Sequence, residues 1–301
     1  MTATLTLVEA IELASASVAD ASSEPASPPP CRPSTRRHWR GHLVMIPVAL
    51  FSCFPVYWMI VTSLRQSGHE YDQTLFAWPP SLASYQYVFD VLPVGRLLLN
   101  TFGFAAAVML GQLFTGLLAA YAFARWEFFG KNVVFALFLA TWLVPFQVTM
   151  IPNYLFLSER GWLDTLTGII VPQLAGAYGV LMMRQHLKGF PSELLDAARL
   201  DGKGAWSTLW RVIVPNMQAP LVALALLLFV TAWNDYLWPL LVFHKAESVM
   251  QVGVQGLIQA EGANNWGAVM AASTLACLPL LIMFIVMQRR LIDAFVRSGI
   301  K

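Results

Sequence analysis

Charge is scarce in this sequence. Lys, Arg, Asp and Glu make up 12% of the 301 residues, about half the roughly 25% of an ordinary soluble domain. A chain so poor in charge and 57% hydrophobic has too little polar surface to clothe a water-soluble globule of its size. Cysteine is equally sparse: Cys31, Cys53 and Cys277 are an odd number at wide spacing, which excludes a disulfide framework and a CxxC metal site. The five histidines, at positions 38, 42, 69, 186 and 244, are scattered and offer no metal cluster. The phosphate-cradling pattern G-x-x-x-x-G-K-[ST] is missing, so the chain cannot hold nucleotide phosphates in that way by itself. Neither G-x-S-x-G nor H-E-x-x-H occurs, and no paired carboxylates lie in the apolar segments. No catalytic residue and no metal ligand is therefore assigned.

Long apolar runs are what the sequence does have. Crossing a bilayer takes about 20 helical residues, and six runs meet that need: about 43–63, 101–124, 132–154, 167–187, 219–241 and 266–288. The implied class is an all-α membrane protein. Pro145, Pro152 and Pro172 interrupt the third and fourth runs, which membrane helices tolerate where neighbours satisfy the freed backbone groups. Small-residue clusters at 105–107 and 116–120 suit close helix packing.

Placing the N-terminus inside puts fifteen of the 19 Lys and Arg in inside segments. Only Arg65, Arg96, Arg160 and Lys245 fall outside. That bias predicts both termini in the cytoplasm. Residues 1–41, rich in Ala, Ser and Pro and closing on Arg32, Arg36, Arg37 and Arg40, lack the apolar core of a signal peptide and read as a disordered cytoplasmic tail, with a weak helix an option at Leu5–Leu13. Residues 42–301 form the transmembrane domain. The loop of about 35 residues after the first run is either functional or a folded cap over the membrane face.

The segment at about 188–218 holds "DAARLDGKGAWSTLWRVIVP", the most polar stretch between two apolar runs. Ser192 is a candidate N-cap, Leu194, Leu195 and Ala198 share one face, and Asp196 and Arg199 are spaced to pair for about 0.2–0.5 kcal/mol. Leu200–Asp201–Gly202 is a helix stop. A second helix restarts near Ala205 with Trp206, Leu209, Trp210 and Ile213 at helical spacing, and Pro215 marks its exit. Periodicity alone leaves two readings: a protein-docking surface with tryptophan anchors, or an interfacial helix at the headgroups.

This segment resembles the "EAA" loop of permease subunits in binding-protein-dependent ABC importers, a pattern of E-A-A-x-x-D-G-A, an apolar stretch and I-x-L-P. Asp196, Ala197, Ala198, Asp201, Gly202, Val212, Val214 and Pro215 occupy its positions, with Asp196 for the usual Glu, Lys203 for Ala and Val214 for Leu. Similarity continues in "NTF" (100–102), "AAYAFARWEFFGK" (119–131), "LVPFQVTMIPNY" (143–154), "WNDYLWPLLV" (233–242) and "MQRRLIDAFVRSGIK" (287–301), which look like the maltose-type smaller permease of the carbohydrate branch. "GLIQAEGANNWGAVMAA" resembles the glycerol-3-phosphate uptake permeases.

The resemblance implies a type I ABC importer permease fold with six transmembrane helices in the bacterial inner membrane. It implies a non-catalytic translocation subunit for a sugar or sugar/polyol phosphate, oligosaccharide or glycerol-3-phosphate-like. Its expected partners are a second homologous permease, two ATPase subunits, an extracytoplasmic solute-binding protein and membrane lipid, with no nucleic acid. No cofactor is expected in this chain, since ATP and Mg would be bound by the ATPase subunits. Asp196, Ala197, Ala198, Asp201, Gly202, Trp206 and Pro215 would form the ATPase-coupling surface, Asp196 facing basic residues there and the tail near Arg297–Lys301 reaching toward the ATPase dimer.

Polar residues inside apolar runs are costly and mark pathways. Gln147, Asn153, Asn234 and Asp235 are the pathway candidates, with Thr149 and Gln173 also conspicuous. Asp235 has two readings, a helix-end residue paired locally or a substrate contact. An ion-coupled secondary transporter is the alternative function; inverted repeats and a buried ionisable relay, its usual marks, are not evident.

Overall fold

Proline and glycine decide where the helices of this protein break. In the computed structural model the backbone is described for residues 39–299, apart from 73, 245–247 and 262–264. Almost all of the N-terminal tail, including the Leu5–Leu13 option, lies outside the described residues, as does Lys301. The chain divides into a first unit ending at Cys53, which contributes only helix to the described residues, and a second unit from Phe54 onward. No strand occurs among the described residues.

Among the described residues three helices are long and apolar enough to cross a membrane by themselves: Leu43–Ser63 within α1 (Trp39–Ser63), all of α3 (Val94–Arg125), and Trp266–Gln288 within α14 (Trp266–Gly299). Between α1 and α3 lies α2 (Ala83–Val91). Three further spans exist only as bent pairs, which brings the total to six if each pair crosses once. The first pair is α4 (Lys131–Trp142) and α5 (Phe146–Glu159), at 92°. Its corner is Leu143–Pro145: Pro145 has no N–H to give and steers Val144 away from helical geometry. Pro152, by contrast, sits inside α5 without ending it.

The second pair joins α6 (Leu166–Ile170), continued by a 3₁₀ turn at Val171–Gln173, to α7 (Ala177–Lys188) across a 43° bend. After α7 come α8 (Ser192–Leu200) and α9 (Ala205–Thr208). The third pair runs from α9 through a π turn at Leu209–Ile213 and α10 (Val214–Asn216), then turns 83° into α11 (Gln218–Trp233). Here the expected span 219–241 is corrected. Helix α11 stops at Trp233, and α12 (Leu237–Val242) is a separate short helix with Pro239 in its first turn, where a missing N–H costs least. One more helix, α13 (Met250–Glu261), precedes α14. Helix α3 also starts seven residues before the expected 101, because helix continues past the apolar stretch that a hydropathy window detects.

Helix α3 is the hub and packs chiefly on α7 and α11. Gly116 of α3 meets Gly179 of α7 so closely that a Cβ on Gly116 would stand 3.4 Å from the Gly179 carbonyl carbon, the small-residue contact that lets membrane helices touch. One core cluster joins Leu117, Met183, Leu187, Leu209, Ile213 and Leu224; another joins Phe104, Leu157, Ile169, Trp233 and Trp238. The loop between α1 and α2 is folded rather than open. Arg65 is 3% exposed, donates to the carbonyls of Glu70 at 3.2 Å and Thr74 at 2.5 Å, and stacks 4.7 Å from the Trp58 ring centroid. Outward apolar side chains such as Leu137, Leu143, Val148 and Ile151 are 64–80% exposed, the reverse of a soluble protein's pattern.

Candidate functional site

Two places carry the chemistry. The first is the helical hairpin of α8 and α9. Helix α8 starts at Ser192, with Pro191 at the cap and no side-chain hydrogen bond there, so Ser192 does not cap it as expected. Its end is built by backbone alone: Gly202 N–H donates to Arg199 O at 2.9 Å and Lys203 N–H to Ala198 O at 3.0 Å. That pair of bonds is a Schellman cap and requires a left-handed residue, which Gly202 supplies at φ +71°. Pro215, exposed in α10, has no N–H to continue the ladder, and the turn before it widens to π spacing.

The inner face of the hairpin is anchored. Leu195, Ala198, Leu209 and Ile213 are buried, and the Tyr121 hydroxyl donates to Ala205 O at 3.1 Å. The outer face is open: Leu200 is 90% and Trp206 62% exposed, with Ala197, Asp196 and Asp201 exposed beside them. Asp196 accepts from Arg199 at 3.3 Å between two largely exposed side chains, a pair worth about 0–1 kcal/mol. Two exposed apolar anchors in a polar rim suit either a protein partner or the headgroup layer.

The second place is a cavity of about 410 Å³ where the helix breaks converge. Phe146 follows the α4–α5 corner, Gln173 and Ala175 flank the α6–α7 break, and Asn234 and Asp235 follow the end of α11. Gln112 and Thr231 complete its polar wall. Irregular backbone at membrane depth is tolerated where it lines a cavity, and three breaks meet at this one. Gln112 Nε2 donates to Gln173 O at 2.7 Å, and Gln173 Nε2 donates to the Asp235 carboxylate at 3.0 Å. Asp235 thus has a partner 62 residues away and still lines the cavity.

Of the four pathway candidates, the structure brings Asn234 and Asp235 together here. Gln147 is exposed on α5 beside Phe146, and Asn153 is half-buried farther along that helix; neither lines the cavity. Gln112 and Thr231 were missed: each is a polar residue inside an otherwise apolar stretch of its helix, which was the one signal for them. Among the described residues no group of His, Cys, Asp and Glu is arranged to hold a metal ion.

Comparison with known proteins decides what the fold belongs to. Residues 112–297 match the family described as "Binding-protein-dependent transport system inner membrane component". The chain belongs to that family. It is 31% identical over 267 residues to the sn-glycerol-3-phosphate transport system permease protein UgpE of Yersinia pestis, covering 85% of this chain and 95% of the relative. The UgpE of Brucella abortus is 28% identical over 269 residues, covering 86% and 95%. A chain of a bacterial ABC transporter involved in the import of the acidic polysaccharide alginate has the same fold, with a TM-score of 0.72 over 87% of this chain and 99% of its own at 20% identity. The protein is accordingly an inner-membrane component of a binding-protein-dependent importer, a transport subunit that works with partner subunits.

Proposed function

We propose that this chain is the non-catalytic translocation subunit of an ATP-driven importer for a sugar or sugar/polyol phosphate. The hairpin is its coupling surface, with Asp196, Ala197, Ala198, Asp201, Gly202, Trp206 and Pro215 as the working residues. The observation that carries this reading is the outer face of the hairpin. Leu200 and Trp206 stand out of a platform that Gly202 bends and a buried inner face holds rigid. A rigid platform transmits displacement; a flexible loop would absorb it. Two ATPase subunits bind ATP and Mg, and their closure moves the hairpin and, through Leu209 and Ile213, the α3–α7–α11 core. A second permease subunit supplies the other half of the pathway, and an extracytoplasmic binding protein delivers the substrate. The hairpin and both termini face the cytoplasm, as the Lys and Arg distribution supports.

The polar cavity is this chain's share of the pathway. Carboxamides from Gln112, Gln173 and Asn234, the Thr231 hydroxyl and the Asp235 carboxylate suit the hydroxyls of a polyol or sugar. Among the described residues no Lys or Arg lines the cavity, so a phosphate on the substrate, as in the sn-glycerol-3-phosphate that names the relatives, would find its counter-charge elsewhere. The test is uptake into proteoliposomes holding the assembled transporter. Uptake that requires internal ATP and the binding protein supports the reading. Uptake that persists without ATP and collapses with an ionophore points to the ion-coupled alternative.

A further inference from the structure

Behind the hairpin, between it and the end of α3, lies a second cavity of about 200 Å³. Three cations line it: Arg125 from the last turn of α3, Arg199 from α8, and Lys203 from the turn. Tyr121, Trp126 and Thr208 lie among them, and among the described residues no carboxylate is in the lining. Arg125 donates one Nη to Leu187 O at 2.8 Å, while its Nε is shut from solvent without an acceptor among the described residues. Among the described residues Arg199 and Lys203 pair with exposed carboxylates of their own helix and turn, Asp196 at 3.3 Å and Asp201 at 3.4 Å. Three cations and one buried donor without an acceptor among the described residues make a lining whose chemistry suits an anion.

We propose that this cavity binds a phosphate group and that the bound phosphate pins the hairpin to the end of α3. Its size decides against a nucleotide, since sites that enclose drug-sized ligands measure roughly 300–1,000 Å³. Guanidinium forks and an ammonium match the oxygens of a single tetrahedral anion. The level in the molecule is that of a span end, because Arg125 closes the candidate span Val94–Arg125. The next aromatic residues, Trp126, Phe128 and Phe129, are 43–104% exposed, as side chains at headgroup depth are. The phosphate comes either from an anionic lipid headgroup or from solution, and both present the same chemistry to Arg125, Arg199 and Lys203. The site stands on geometry alone; its effect on coupling rests on the role proposed for the hairpin.

Thermal unfolding of the assembled transporter in nanodiscs tests the site without reading transport. In phosphatidylcholine discs, inorganic phosphate is titrated against chloride at equal ionic strength. In parallel, phosphatidylglycerol replaces part of the lipid in chloride buffer. A rise in the unfolding midpoint with phosphate alone assigns a free phosphate, and a rise with phosphatidylglycerol alone assigns a lipid. In either case the double variant R199Q/K203Q, built at an exposed and a half-buried side chain, is expected to weaken the apparent affinity about tenfold or more, the loss of at least one charge-assisted hydrogen bond. Its midpoint in chloride and phosphatidylcholine, equal to the parent's, shows that it folds. No rise in either arm overturns the proposal, and so does a rise of the same size and affinity in R199Q/K203Q.

Discussion

The hairpin and the polar cavity are built by opposite rules. Every bond that shapes the hairpin turn is local: the Schellman pair at Gly202 and Lys203 and the Asp196–Arg199 contact each span three to five residues. The bonds that shape the cavity wall, Gln112 to Gln173 and Gln173 to Asp235, span 61 and 62 residues. The turn of the first region is therefore shaped by its own residues and leaves its apolar anchors outside, while its inner face is held on α3 by the Tyr121–Ala205 bond. The second exists only when α3, the α6–α7 break and the end of α11 have come together. Damage to the hairpin is expected to spare folding and membrane insertion but destroy coupling to the ATPase subunits, whereas damage to the cavity alters handling of the substrate.

Changes at four positions would break or sharpen that contrast. The largest effect is expected from Gly202→Pro, which forces φ from +71° to about −65° and deletes the N–H bond to Arg199. ATP-dependent uptake should vanish while membrane insertion, measured by fractionation, is unchanged; Gly202→Ala should fall between, since left-handed geometry costs an alanine about 1–2 kcal/mol. Next comes Trp206→Ala, which removes an exposed anchor. A loss of about 2 kcal/mol, or roughly 30-fold in affinity for the ATPase subunits, is expected in a pull-down titration with chain stability unaltered. Asp235→Asn should then change the concentration dependence of uptake several-fold while leaving retention of the ATPase subunits intact, and equal loss in both would erase the distinction between the regions. Smallest is Asp196→Ala: with a surface ion pair worth about 0–1 kcal/mol, its unfolding midpoint should move by little, so any large loss of uptake would reflect its outward face.

The same contrast explains what was legible in the sequence. The Leu200–Asp201–Gly202 stop and the restart at Ala205 were readable because the turn is made by adjacent residues, and the structure places both there. The long apolar helices were readable for the same reason: apolar length is a local property. Ser192 misled because Pro191 in extended geometry already starts α8, leaving the hydroxyl no capping bond. The break after Trp233 was hidden because Asn234 and Asp235 interrupt an otherwise apolar run too briefly to lower its hydropathy. Gln147 misled in another way, since its place beside Pro145 was visible but the 92° turn that points Phe146 rather than Gln147 at the cavity was not. Gln112 joins the site only through α3's packing against α7, which no periodicity in α3 announces.

The central claim is that the outer face of the hairpin is where the ATPase subunits push. Site-specific crosslinking tests it most directly, with Leu200→Cys or Trp206→Cys in a chain whose Cys31, Cys53 and Cys277 are replaced by serine, in membranes containing the partner subunits. The expected result is an adduct between either cysteine and an ATPase subunit whose yield changes when ATP is added. Absence of that adduct, with the same cysteines labelled from the extracytoplasmic side by an impermeant thiol reagent, would contradict the claim.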